Sequence, residues 1–323
     1  MIVASPPTVS SRFTAQGRSR QPLPENVSAL MFVLLAMVSV QFGSAVAKHL
    51  IESVGSFTAA WLRILLAGTI ALFLWRASLR VDRKALPYVV GLGIAVAGMN
   101  LSFYAAIERI PLGMAVTIEF LGPLTVGLLA GRRPINAVWV ALAGVGVLLL
   151  MDSGGSHSWI GVGLAVLSGV GWGSYIAFSD LVARHTTGHS GLALAMGLGA
   201  VAAVPMLLTG AGNITFTWWL LVGVLAVAAL SSLIPHAVEL SALRRMDASA
   251  FGVLMSLEPA LAAVVGLVLL DQDLQAVQWA GIGLVVLASA GATHLSSRVD
   301  PARRDSEPTP LSVPATNALP RNR

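Results

Sequence analysis

The sequence predicts an all-α membrane protein of ten transmembrane helices, arranged as two inverted five-helix repeats. Three observations carry this expectation: apolar runs long enough to cross a bilayer, basic residues gathered at alternate joints between them, and self-similarity between the two halves of the chain.

Composition sets the frame. Of the 323 residues, 56% are hydrophobic and 11% charged, against about 25% charged in a soluble domain. Mean hydropathy is +0.80. A soluble core could not absorb this much apolar surface, so lipid is the solvent for most of the chain. Cysteine is absent, which excludes disulfides, thiol catalysis, iron–sulfur clusters and thiolate zinc sites. The formal charge of +5 does not point to nucleic acid, because the basic residues form short clusters between apolar runs.

Residues 1–27 are polar and rich in Ser, Pro and Arg, and read as a disordered cytoplasmic tail. Ten spans follow, at about 29–50, 56–76, 86–107, 112–131, 134–152, 158–181, 190–209, 215–241, 247–270 and 275–297. Residues 28–152 make a first repeat of helices 1–5, and residues 153–297 a second of helices 6–10. Residues 298–323 read as a second cytoplasmic tail. The joints at Ile110-Pro111-Leu112-Gly113 and Arg132-Arg133-Pro134 are so short that the helices they link must run antiparallel.

With the N-terminus in the cytoplasm, every Lys and Arg except Lys48, Arg63 and Arg109 falls in an inner joint or tail. That asymmetry predicts both the number of spans and their orientation. Lys48 and His49, near the outer end of helix 1, can snorkel to the headgroups. Trp75, Trp139, Trp159, Trp218 and Trp219 lie near span ends, as an interfacial aromatic belt requires. Gly127 with Gly131, and Gly169 with Gly173, stand four apart and permit close helix approach.

Ala106-Ile107-Glu108-Arg109-Ile110 aligns with Ala242-Leu243-Arg244-Arg245-Met246, and the same offset pairs Leu121 with Leu257 and Pro123 with Pro259. Gly43-Ser44 and Ala47 echo Gly173-Ser174 and Ala177. Because five is odd, the second copy of a five-helix unit is inserted upside down. Arg109 accordingly falls outside and its counterpart Arg245 inside. Inverted repeats let two halves rock about a central site.

Intramembrane charges are costly, at least about 2.5–3.5 kcal/mol each on insertion scales, so each one is a candidate for function. Glu119 lies midway along helix 4, four residues before Pro123, whose missing N–H frees the Glu119 carbonyl. Glu258 lies midway along helix 9, directly before Pro259, which frees the carbonyl of Met255, the repeat counterpart of Glu119. Discontinuous helices of this kind line midplane cavities. Either glutamate could bind a proton or a substrate ammonium group, or be a structural carboxylate tied to a neighbouring helix. Arg63, within helix 2, could receive a substrate carboxylate bidentately or serve as a fixed counter-ion. An arginine and a glutamate together would suit a zwitterionic amino acid. Asn100 in helix 3 could be a hydrogen-bonding ligand or interhelical glue. His236 and Glu239 share a face of helix 8 after the helix-breaking Pro235. They could form a proton relay or simply pack, and they lack the partner motif that a metal site in a helical bundle would need. Tyr104, Tyr175, Trp61 and Trp172 are candidates to line the cavity. There is no phosphate-binding loop for ATP, and no cofactor or metal is expected.

The stretches Gly98-Met99-Asn100 with Phe103-Tyr104, Ile110-Pro111-Leu112-Gly113 with Glu119-Phe120 and Gly122-Pro123-Leu124, Arg132-Arg133-Pro134, and Gly252 to Ala263 (Gly-Val-Leu-Met-Ser-Leu-Glu-Pro-Ala-Leu-Ala-Ala) resemble the EamA family of the drug/metabolite transporter superfamily. The resemblance covers roughly residues 29–297 and is nearest to the family's bacterial exporters of threonine and homoserine. It implies a ten-helix bacterial inner-membrane exporter with two repeats, driven by the proton gradient as an antiporter; the charge asymmetry places both termini in the cytoplasm. The family often carries Gly-Glu before the last helix, where this chain has Asp271-Gln272. A carboxylate role there would pass to Asp271 or Asp273.

The expected partners are a small amino acid, protons and the lipid bilayer, with no nucleic acid, and a homodimer is compatible with such a bundle. The competing readings are export of a purine, sugar derivative or drug, a membrane-embedded lipid-handling enzyme, and a passive channel.

Overall fold

The computed structural model describes residues 25–74, 81–131, 135–151, 158–186, 190–206, 217–235, 238, 245–246 and 248–298. Among these the chain is helical and forms no strand. The helices are α1 (Glu25–Val54), α2 (Ser56–Leu74), α3 (Leu86–Ile107), α4 (Leu112–Glu119), α5 (Leu121–Gly131), α6 (Asn136–Met151), α7 (Trp159–His185), α8 (Ser190–Ala202), α9 (Trp218–Ala228, continued by a π-helical segment over Ala229–Leu233), α10 (Ala248–Met255), α11 (Glu258–Leu270) and α12 (Ala276–Arg298).

Seven segments are long and apolar enough to cross a membrane: Ser28–Val54, Ser56–Phe73, Leu86–Ile107, Leu112–Leu129, Trp159–His185, Ala250–Leu270 and Ala276–His294. Three shorter apolar helices, Asn136–Met151, Gly191–Met206 and Trp218–Ser231, stand where the fifth, seventh and eighth spans were expected. At 1.5 Å per residue they fall short of a hydrocarbon core about 30 Å thick. Leu129, Leu148, Val170 and Val268 point outward from the bundle, a surface suited to lipid and not to water. The protein is a multi-pass membrane protein.

Local chemistry explains the joints. Gly55 adopts a left-handed conformation, φ 81°, so that α1 stops and α2 starts with no linker between them. Ser158 and Thr217 cap α7 and α9 by accepting the N–H groups of Gly161 and Leu220. Helix 4 of the sequence parts at Phe120 into α4 and α5, and helix 9 parts at Ser256-Leu257 into α10 and α11.

Helix packing relies on bare backbone. Gly93 of α3 lies against the Ala195 carbonyl and Gly199 of α8, Gly146 of α6 against Gly281 of α12, and Gly113 of α4 against Ala263 of α11. Where glycines meet, the helices approach until main chain touches main chain.

The apolar interior is unevenly divided. Around the α3–α4 joint one cluster unites residues from nearly every helix, including Leu50, Ile107, Leu112, Val162, Val224, Val265 and Ile282. Toward the opposite end the buried residues separate into three groups. One joins α2, α3, α7 and α8 through Ile64, Val89 and Ala195. Another joins α5, α6 and α12 through Leu128, Ala143 and Ala288. The last joins α1 to α10 through Met37 and Leu254.

Candidate functional site

Two carboxylates sit at the two helix interruptions. Glu119 is the last residue of α4 and is 8% exposed. Glu258 is the first residue of α11 and is 6% exposed. The positive end of the α11 dipole lies at Glu258 and favours its negative charge there.

Each carboxylate receives a neutral donor from a helix of the other half of the chain. The Ser168 hydroxyl of α7 lies 2.5 Å from Glu119 Oε1 and 3.0 Å from the Met99 carbonyl of α3. The Gln41 amide of α1 donates to Glu258 Oε1 over 3.3 Å. Ser168 reaches Glu119 because the two helices nearly merge beside it. Gly122 faces the Gly169 carbonyl, and Gly169 in turn lies on the carbonyl of Glu119 that Pro123 leaves without a helical donor. Trp172 packs edge-on against Phe120 at the interruption, with ring centroids 5.8 Å apart.

Arg63 of α2 supplies positive charge to the same region. Its guanidinium donates to the Ser231 carbonyl over 3.3 Å and lies 5.8 Å above the centre of the Tyr104 ring. Its charge acts on Glu119, yet the two make no ion pair, unlike His49–Glu52, Glu108–Arg109 and Asp180–Arg184 elsewhere in the bundle. The Ser231 carbonyl is available because of local sequence. Ile234 donates to Ala229 in the π-helical segment, and Pro235 has no N–H to return to Leu230 or Ser231. The Leu230 carbonyl is taken by the Ser39 hydroxyl of α1 at 2.7 Å. Pro235 thus helps to hold α9 to both α1 and α2.

Asn100 is buried one turn before Tyr104, and its side-chain amide donates to the Val96 carbonyl of its own helix over 2.8 Å. That donor joins no second helix. Tyr104 is buried, and Trp61 donates to the Ala200 carbonyl of the α8 region. His236 and Glu239 lie outside the described residues. Asp271 and Asp273 are exposed in the joint before α12. No group of three His, Asp or Glu among the described residues could hold a metal ion.

Sequence reasoning passed over Ser168, Gln41, Ser39 and Ser231. Gln41 carried a signal, as an amide within an otherwise apolar span. Ser168 stands beside the Gly169 and Gly173 pair, so the spacing that marked a close helix approach also marked where a short hydroxyl could cross it.

An all-helical membrane bundle with buried carboxylates at two interrupted helices and a half-buried arginine nearby defines a membrane transporter, and the chain belongs to the EamA-like transporter family, whose profile matches residues 27–150 and again 159–293. Similar proteins include the threonine/homoserine exporter RhtA of Escherichia coli strain K12, 37% identical over 271 residues covering 82% of this chain and 90% of that protein. The RhtA protein of Salmonella typhimurium strain LT2 is 37% identical over 281 residues, covering 84% and 93%. A solved crystal structure at 18% identity superposes with a TM-score of 0.59, covering 85% of this chain and 99% of its own, and shares the fold.

Proposed function

We propose that this protein is a secondary transporter of the bacterial inner membrane that exports threonine, homoserine and related small amino acids in exchange for protons. The observation that carries the reading is the coexistence, in one region, of the buried Glu119 and the half-buried Arg63 without an ion pair between them. A zwitterion has an ammonium group for the first and a carboxylate for the second. The threonine/homoserine exporters at 37% identity support the cargo. Glu119 or Glu258 carries the proton when the ammonium group is absent, and Arg63 orients the substrate. Tyr104 lies beneath the Arg63 guanidinium, and Asn100 stands one turn before it on α3.

The architecture that serves this mechanism is ten spans in two inverted five-helix repeats with both termini cytoplasmic. The two matches to the family profile support it. So does reciprocal packing: α3 pairs with α7 as α1 pairs with α9, and α7 flanks the interrupted α4–α5 as α1 flanks the interrupted α10–α11. In this arrangement the α3–α4 joint faces the periplasm.

The test is uptake of labelled threonine into inverted membrane vesicles, with and without a proton gradient, by the wild type and by Glu119→Gln and Glu258→Gln. Gradient-dependent uptake that at least one substitution abolishes is the expected result. Uptake that ignores the gradient, or two variants that transport normally, sinks the assignment.

A further inference from the structure

The two halves matched by the family profile also meet at a hydrogen bond at the end of α4 opposite Glu119. Helix α4 begins at Leu112 after Pro111, which provides no side-chain cap. The first N–H groups of a helix have no internal partner. Here Gln272, in the joint after α11, accepts the Leu112 N–H at 2.8 Å through its side-chain oxygen. A cap normally supplied by the residue before a helix comes instead from the other half of the molecule.

Gln272 is held in place for this. Its own N–H donates to the Gly266 carbonyl over 3.1 Å. Asp271, which ends α11, takes a left-handed conformation at φ 50° that turns the chain back toward α4. Gly266 gives the side chain room, since a Cβ there would stand 2.9 Å from the Gln272 oxygen. At the next residue of α4, Gly113 lies against the main chain of Ala263, so the two helices are tightly docked beside the bond. This is also the end where a single apolar cluster spans both halves, whereas the opposite end is divided into three.

We propose that Gln272 is the latch of this end of the transporter: the bond to Leu112 holds α4 and α11 together while this end is shut, and it breaks each time the end opens. The inference rests on the reading above of a secondary transporter whose two inverted halves rock about a central site, opening each end in turn, but on none of its substrate assignments. Opening strips Leu112 of its cap and costs one hydrogen bond, so removing the acceptor shifts the balance toward the open form. The shift is about fivefold, the effect of one neutral hydrogen bond.

The chain has no cysteine, so a thiol introduced at Val265, buried in the shared cluster, is the sole thiol in the protein. Val265→Cys protein in detergent micelles is labelled with a maleimide, alone and combined with Gln272→Ala or Gln272→Glu. The alanine variant is expected to label about fivefold faster. The glutamate variant keeps an acceptor oxygen and is expected to label within twofold of the parent. An unchanged rate in the alanine variant overturns the latch, and so does an equal rise in both variants, which would report general loosening. Labelling is read without substrate, so its failure leaves the export reading intact, and a failed threonine assay leaves the latch intact.

Discussion

Gly169 of α7 lies directly on the carbonyl oxygen of Glu119: a Cβ built on the glycine would stand 2.9 Å from that oxygen. The contact joins the main chain of one half of the molecule to the interrupted helix of the other. It also sets the neighbouring Ser168 hydroxyl against the Glu119 carboxyl.

Substitution at this seam should therefore be severe. A methyl at Gly122 would run into the Gly169 carbonyl, which is main chain and cannot swing aside. Gly122→Ala is expected to destabilise the protein by about 1–3 kcal/mol, the range for overpacking. Gly127→Ala, one turn further on where nothing lies within 4 Å, should be neutral or stabilise by up to about 1 kcal/mol through helix propensity. Melting temperatures of the purified variants in one detergent give the comparison.

Ser168→Ala removes the donor to Glu119 and leaves a small cavity. A hydrogen bond to a charged group is worth about 1.5–3 kcal/mol. Threonine efflux should fall roughly tenfold or more, and Ser168→Thr, which keeps the hydroxyl, should restore most of it. Equal losses in both variants would assign the serine to packing alone.

Arg63 offers a planar fork that lysine cannot reproduce. Arg63→Lys is expected to raise KM for threonine severalfold, and Arg63→Gln to raise it by an order of magnitude or more. If Arg63 were instead a counter-ion alone, lysine would serve and KM would hold. Concentration series of initial efflux rates separate the two.

Pro235→Ala returns an N–H to α9 that can compete for the Leu230 and Ser231 carbonyls now used by Ser39 and Arg63. The variant is expected to gain thermal stability and lose transport. A variant that transports normally would show that the two tethers are dispensable.

The apolar runs made the spans readable, because lipid demands a long uninterrupted stretch and leaves the signature in composition. The three shorter helices were harder to bound. Trp218 to Ala228 passes into a π-helical segment with no glycine or proline at the Ala228-Ala229 junction to mark it. Pro123 and Pro259 pointed to places where main-chain bonds are lost, since a missing N–H is a local property of the residue. Partners across the bundle were not legible. Asn100 read as a candidate ligand or interhelical tie, yet its side-chain amide bonds within α3, a matter of rotamer that spacing does not encode. Gln272 read as a departure from a family pattern, and its role emerges only when α4 and α11 stand side by side.

In the π-helical stretch over Ala229–Leu233 each backbone hydrogen bond closes over one residue more than in the α-helix before it, as from the Ile234 N–H to the Ala229 carbonyl. Such a surplus can travel along a helix as a defect, because each bond broken ahead of it is remade behind. Every residue it passes is rotated by about 100° and advanced by about 1.5 Å. Helix α9 therefore contains built-in slack: it can swivel part of its circumference toward α1 and α2 without unwinding. The serine and arginine that grip its carbonyls are placed where they would register that swivel first.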